Sequence, residues 1–106
     1  MSYVNYNTVE PRLDYREEFK NSTGSFSAKW MSPSSLPQPR DASSDAEYDA
    51  YTDLHRIVAT YDRIYVVYSY TTPIYVSDET QTLWVNPIKY STTTSRQQNI
   101  IRRVFA

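Results

Sequence analysis

The chain has 106 residues, a formal net charge of −1, 40% apolar residues and no cysteine. That length holds one small domain, and the missing thiols exclude disulfides, thiolate catalysis and cysteine-based zinc sites. No apolar run reaches the length of a membrane span and the opening MSYVNYN lacks an apolar signal core, so the reading is a cytoplasmic chain with no membrane partner.

Eleven of the aromatics are tyrosines, beside three phenylalanines and two tryptophans. Tyrosine buries a broad face and keeps a polar tip, so the expectation is a thin core with tyrosines along its rim. Charge is unevenly placed. Asp41, Asp45, Glu47, Asp49 and Asp53 fall in a stretch without a basic residue, whereas Lys89, Arg96, Arg102 and Arg103 follow Thr80 without an acid. Either the two ends face each other or are simply solvated, or the basic end is a surface for an acidic partner.

Residues 1–18 are polar with scattered aromatics and read as an N-terminal arm outside the core. Pro11 interrupts an early helix there, leaving one helical turn around 13–18. Asn21-Ser22-Thr23-Gly24 is turn chemistry, with the only glycine of the chain supplying positive φ. After it, Phe26, Ala28 and Trp30 alternate with Ser25, Ser27 and Lys29, the period of a strand. A lone glycine with no following helix is a turn and not a phosphate loop.

Residues 31–43 hold Pro33, Pro37 and Pro39 among serines and form an exposed connection with Leu36 as its apolar anchor. Ser44-x-x-Glu47 is a capping-box pattern, and acids in the first turn suit the positive end of a helix dipole. Ala50, Tyr51, Leu54, Ile57 and Val58 then recur at helical spacing, with Asp45, Asp49, Asp53 and Arg56 opposite. The β-branched Ile57, Val58 and Thr60 leave room for an earlier end that passes into a strand. The carboxylate stripe reads as a solvated face and not a metal site. His55 is the only histidine, so one chain cannot build a histidine pair.

Ile64 to Tyr70 is the strongest strand signal. Ile64, Val66, Tyr68 and Tyr70 share one face and Tyr65, Val67 and Ser69 the other; apolar groups on both faces make this strand central. Thr71-Thr72-Pro73 bends the chain, Ile74–Val76 is a second strand, 77–80 a turn and Thr82–Val85 a third strand, forming a meander. Thr94-x-x-Gln97 is a second capping-box pattern, with Ser/Thr alternatives on either side, and opens a helix with Ile100, Ile101, Val104 and Phe105 on its inner side. The expected fold is α+β: a small antiparallel sheet of about three to five strands packed with one central amphipathic helix and one C-terminal helix.

Tyr68-Ser69-Tyr70-Thr71-Thr72-Pro73-Ile74, a strand with Trp84, and Tyr90-Ser91-Thr92-Thr93-Thr94-Ser95-Arg96-Gln97-Gln98 together resemble a family of small proteins of bacteriophages, mainly those of actinobacteria, and of related mobile elements. That family carries an SY-x-TPI strand and a YS-x-TT-x-x-HQ motif at similar separation. The stretch from Phe19 through Ser25-Phe26-Ser27-Ala28 is similar more loosely. The resemblance covers the C-terminal third and implies a phage-type origin, hence the cytoplasm of a bacterial host. It assigns no activity. Gln97 stands where the family has histidine: if that histidine does chemistry in the family this chain has lost it, and if it caps the helix glutamine replaces it well, which favours a structural role.

Without nucleophile, metal or histidine constellations, the expected function is non-enzymatic binding of a host or phage macromolecule, a protein first, with no cofactor. Tyr65, Tyr68, Tyr70, Tyr75 and Trp84 are the candidate partner face. The alternative is nucleic-acid binding by the basic C-terminal helix, where Lys89, Thr93, Thr94, Ser95, Arg96, Arg102 and Arg103 combine hydroxyls, cations and a helix N-terminus. A homo-oligomer that completes a thin core is a further expectation.

Overall fold

The computed structural model describes residues 3–4, 9–88, 90 and 92–105. Six strands line up in chain order: β1 (Tyr3–Val4), β2 (Phe19–Asn21), β3 (Phe26–Met31), β4 (Ile64–Ser69), β5 (Thr72–Ser77) and β6 (Thr82–Val85). Strands β2 to β6 are antiparallel neighbours, and β1 adds a short parallel edge to β2. Three helices accompany them: α1 (Val9–Asp14), α2 (Asp45–Val58) and α3 (Thr92–Phe105). The α+β expectation holds.

Strand β4 lies inside the sheet, and its alternation divides the core. Tyr65 and Val67 point to one side, with Phe19, Phe26, Ala28, Ile100 and Ile101. Ile64 and Val66 point to the other, with Leu54, Val58, Val76 and Trp84. Helices α1 and α3 therefore cover one face, and α2 covers the β4–β6 half of the opposite face. Both clusters are fully buried at their centres, and each buried Leu, Ile, Val or Phe side chain contributes roughly 1.5–3 kcal/mol.

Two irregularities in β5 and β6 aim side chains into these clusters. Val67 pairs with Tyr75 and Tyr68 with Pro73, so Ile74 is an extra residue. A bulge puts consecutive side chains on one side of a sheet, and Ile74 and Tyr75 both enter the α3-side cluster. Pro73 lacks an N–H but is accommodated beside this bulge. Next to it the Asn86 backbone N–H donates to Ile74 O and Asn86 Nδ2 to Pro73 O, each at 3.0 Å. The hairpin turn is Tyr70-Thr71, so Thr72 and Pro73 belong to β5 and not to the bend expected from the sequence.

The N-terminal segment departs from expectation in the same way. Pro11 sits in the first turn of α1, where backbone N–H groups have no helical partner and proline costs little. Val9 and Leu13 are fully buried, so α1 is docked on the core by these two residues and is not a free arm. The helix ends in a Schellman arrangement: Glu17 N–H reaches Arg12 O at 2.8 Å and Arg16 N–H reaches Leu13 O at 2.9 Å. Arg16 takes the left-handed position usually given to glycine, at φ 52°. Its Nε donates to Ser77 Oγ at 2.9 Å and its carbonyl accepts Trp30 Nε1–H at 3.0 Å, which holds it there.

Helix α2 starts where the capping pattern puts it. Ser44 Oγ accepts the Glu47 N–H at 3.1 Å, and the helix runs on through the β-branched residues to Val58. The connection over 31–43 makes two short 3-10 turns at Pro33–Ser35 and Pro39–Asp41, and Leu36 is its buried anchor. Among the described residues no helix is long and apolar enough to cross a membrane.

Candidate binding face

Of the residues expected to seat an anion at the C-terminal helix, Ser95 and Arg102 line one cleft with Gln98 and Asn99, and the other described ones do not line it. Lys89 lies outside the described residues. Helix α3 begins at Thr92, three positions before Ser95, where a Thr94 cap would start it. Thr94 therefore sits inside the first turns, buried, with its hydroxyl 2.8 Å from Ser69 Oγ. Gln97 is fully buried and donates from Nε2 to Ser25 O at 2.9 Å, tying α3 to the β2–β3 turn instead of closing a cap. Thr93 and Ser95 are half-buried, while Arg96, Arg102 and Arg103 are exposed. Arg102 Nη1 donates to Asn99 Oδ1 at 2.9 Å, and Arg103 pairs with Glu10 Oε1 at 2.7 Å. The acidic side of α2 lies across the sheet from these arginines, and its Asp53 pairs with Arg56 at 3.2 Å.

The expected tyrosine face is also redistributed. Tyr65 and Tyr75 are fully buried on the α3 side, and Trp84 is buried under α2. These three belong to the core. The two tyrosine hydroxyls are satisfied by the chain itself: that of Tyr65 donates to Glu17 O at 2.7 Å, and that of Tyr75 meets Thr82 Oγ1 at 2.8 Å. Burial holds the Tyr65 hydroxyl well above the ordinary tyrosine range. Phe105 stacks on Tyr75 at 4.5 Å between ring centroids. Only Tyr68, half-buried, and Tyr70, 58% exposed, remain available to a partner.

Those two stand on the part of the α2-side face that α2 leaves uncovered. Register joins Lys20 of β2 to Ser27 of β3 and Ser27 to Tyr68 of β4, so the three form one row across about 10 Å of sheet. Lys29, two residues along β3 from Ser27, is exposed and places its Nζ 6.0 Å from the Tyr68 ring centroid, the outer reach of a cation–π contact. A shallow cleft runs over this row and is closed at one end by Tyr70, Thr71 and Gly24. Gly24, at φ 75°, is needed for the turn, and a Cβ there would sit 3.5 Å from Lys20 Cε. Among the described residues the cleft is lined by lysine, tyrosine and small polar groups, with Phe19 and Ala28, and by no carboxylate.

Tyr70 is held at the rim by a constrained backbone. Its φ is 55°, in the first position of the hairpin turn between Ser69 and Thr72, where glycine is the usual residue. A left-handed non-glycine residue costs about 1–2 kcal/mol. Its N–H donates to Ser25 O at 3.0 Å, binding this turn to the neighbouring β2–β3 turn. Beneath, Asn21 Nδ2 donates to Ser25 Oγ at 2.9 Å and Asn21 Oδ1 accepts the Phe26 N–H at 3.1 Å.

A second polar cluster joins the start of α2 to the segment before α3. Glu47, only 6% exposed, accepts the Tyr90 hydroxyl at 2.6 Å and the Ser43 N–H at 3.0 Å. Asn86 Nδ2 donates to the Tyr90 oxygen at 3.0 Å, and Gln98 Nε2 donates to Asn86 O and Ile88 O, each at 3.2 Å. Burial acts to raise the Glu47 pKa, but the bonds from Tyr90 and Ser43 outweigh it and hold the carboxyl below its usual range. The Tyr51 hydroxyl is pushed up to about 12 by burial, then by the Glu47 charge. Each carboxylate oxygen is occupied by a donor of the chain itself, so this is a clasp between elements and not a free acid–base pair. Among the described residues no group of three His, Asp or Glu side chains is arranged to hold a metal ion.

Lys29 and Ser27 were legible as the polar side of a strand. Lys20 was not, because only register with β3 brings it to the same row. Comparison with family models, with characterised proteins and with solved structures finds no match to this chain.

Proposed function

We propose that the protein is a small phage-type accessory protein that binds a macromolecule of the host or phage through this uncovered sheet face and carries out no chemistry. The row Lys20, Ser27 and Tyr68, extended by Lys29 and Tyr70, is the observation that carries this reading. It gathers cations, aromatic rings and hydroxyls on an open surface, the composition of a recognition patch. The resemblance described above supports the phage-type origin and action in the bacterial cytoplasm. The basic α3 draws less support, since Arg103 is engaged by Glu10 and the Thr94 hydroxyl turns inward.

The test is capture from bacterial lysate on immobilised protein, comparing wild type with Lys20→Glu/Lys29→Glu, with and without nuclease. Material retained by wild type and lost from the double variant is the expected result. Equal recovery from both overturns the assignment of the face.

A further inference from the structure

We infer that the occupant of the uncovered face is single-stranded nucleic acid, with the backbone on Lys20 and Lys29 and bases on Tyr68 and Tyr70. This rests on the binding reading above and narrows it to one class of partner. Charge complementarity carries the first half. Two exposed lysines flank the Ser27–Tyr68 row and no carboxylate lines the cleft among the described residues, so the surface favours a polyanion although the whole chain carries −1.

The aromatic half separates nucleic acid from an acidic peptide. A sheet surface that offers tyrosine faces beside cations is a stacking platform for unpaired bases, whose π-faces a peptide lacks. Tyr70 is 58% exposed although it occupies a turn position that favours glycine. A ring kept outward at a backbone cost points to use of the ring. Duplex is a poor fit, because its bases are stacked on one another and a shallow face reaches only its phosphates.

The experiment is fluorescence anisotropy of the purified full chain with labelled oligonucleotides of about 12 nucleotides, single-stranded DNA and RNA beside duplex, over salt from about 50 to 200 mM. Single strands are expected to bind more tightly than duplex. Each lysine that neutralises a phosphate contributes about 0.7 to the slope of log affinity against log salt, so Lys20→Ala and Lys29→Ala each remove about that much. Tyr70→Gly relieves the turn, keeps the fold and lowers affinity about tenfold; a matched far-UV spectrum and unchanged denaturation midpoint or better certify the fold. Absence of binding at the lowest salt, equal affinity for duplex, or binding that ignores these variants and is lost in Arg102→Ala/Arg103→Ala overturns the inference. Lysate capture that depends on the lysines yet survives nuclease also overturns it, while leaving the binding face in place.

Discussion

Gln97 donates from Nε2 to the carbonyl of Ser25 at 2.9 Å, and the same oxygen accepts the Tyr70 N–H at 3.0 Å. One acceptor thus joins helix α3, the β2–β3 turn and the hairpin turn that carries Tyr70. Because the side chain is fully buried, its loss is felt through the fold. Gln97→Leu keeps the volume and removes the donor, so it costs about 1–2 kcal/mol in chemical denaturation. Gln97→Glu places a carboxylate against a carbonyl and costs about 3 kcal/mol at neutral pH, with recovery as the acid is protonated at low pH. Equal stabilities of the two variants at neutral pH contradict this account of the contact.

The Glu47–Tyr90 bond sets the acid limb of stability. The carboxyl is held below its ordinary value of 4.5, so its contribution is present above that pH and lost as pH falls through the folded value. Tyr90→Phe removes a hydrogen bond to a charged group and costs about 1.5–3 kcal/mol near neutrality. The gap between wild type and variant closes as Glu47 is protonated in both. Denaturant midpoints measured from pH 7 down to about 3 read this directly.

On the alkaline side the sign reverses. Burial raises Tyr51 to about 12 and also raises Tyr90, where the bond to Glu47 adds to it. Folding favours the protonated hydroxyl, so this stability is fully present below 10 and is lost as pH rises toward the folded values. A fall in the denaturant midpoint above pH 10 is expected in wild type. Tyr51→Phe shows a smaller fall.

Tyr70 provides a substitution that gains stability and loses function. Tyr70→Gly removes a left-handed penalty at φ 55° and raises stability by up to about 1 kcal/mol, offset in part by the freer unfolded chain. Tyr70→Ala retains the penalty and shows no gain. Thermal denaturation of the pair separates backbone strain from ring packing.

Arg102→Ala/Arg103→Ala changes stability by less than about 1 kcal/mol, because the Arg103–Glu10 pair is exposed and screened. Urea denaturation checks this, and a larger loss means that α3 is docked on α1 by charge and not by Val9, Leu13 and Ile101.

Local chemistry made much of this fold readable. Ser44 names its own cap, and the alternation in β4 announces a strand buried on both sides. The fate of the tyrosines was not readable, because Tyr65 enters the core only where Glu17 O, far away in the chain, accepts its hydroxyl. Pro11 misleads as a breaker, since its effect depends on where the helix begins. Arg16 and Tyr70 take glycine-like backbone positions that nothing in their side chains signals; distant partners impose them. The binding row itself is a product of register: Lys20, Ser27 and Tyr68 come from three strands, and only their pairing places them side by side.

Binding of single strands on the uncovered sheet face is read residue by residue by amide chemical-shift mapping of the isotope-labelled protein while a single-stranded oligonucleotide is added. Shifts that cluster on Lys20, Ser27, Lys29, Tyr68 and Tyr70 are the predicted result. Shifts confined to Arg96, Arg102 and Arg103 on α3, or a spectrum that does not move, contradict it.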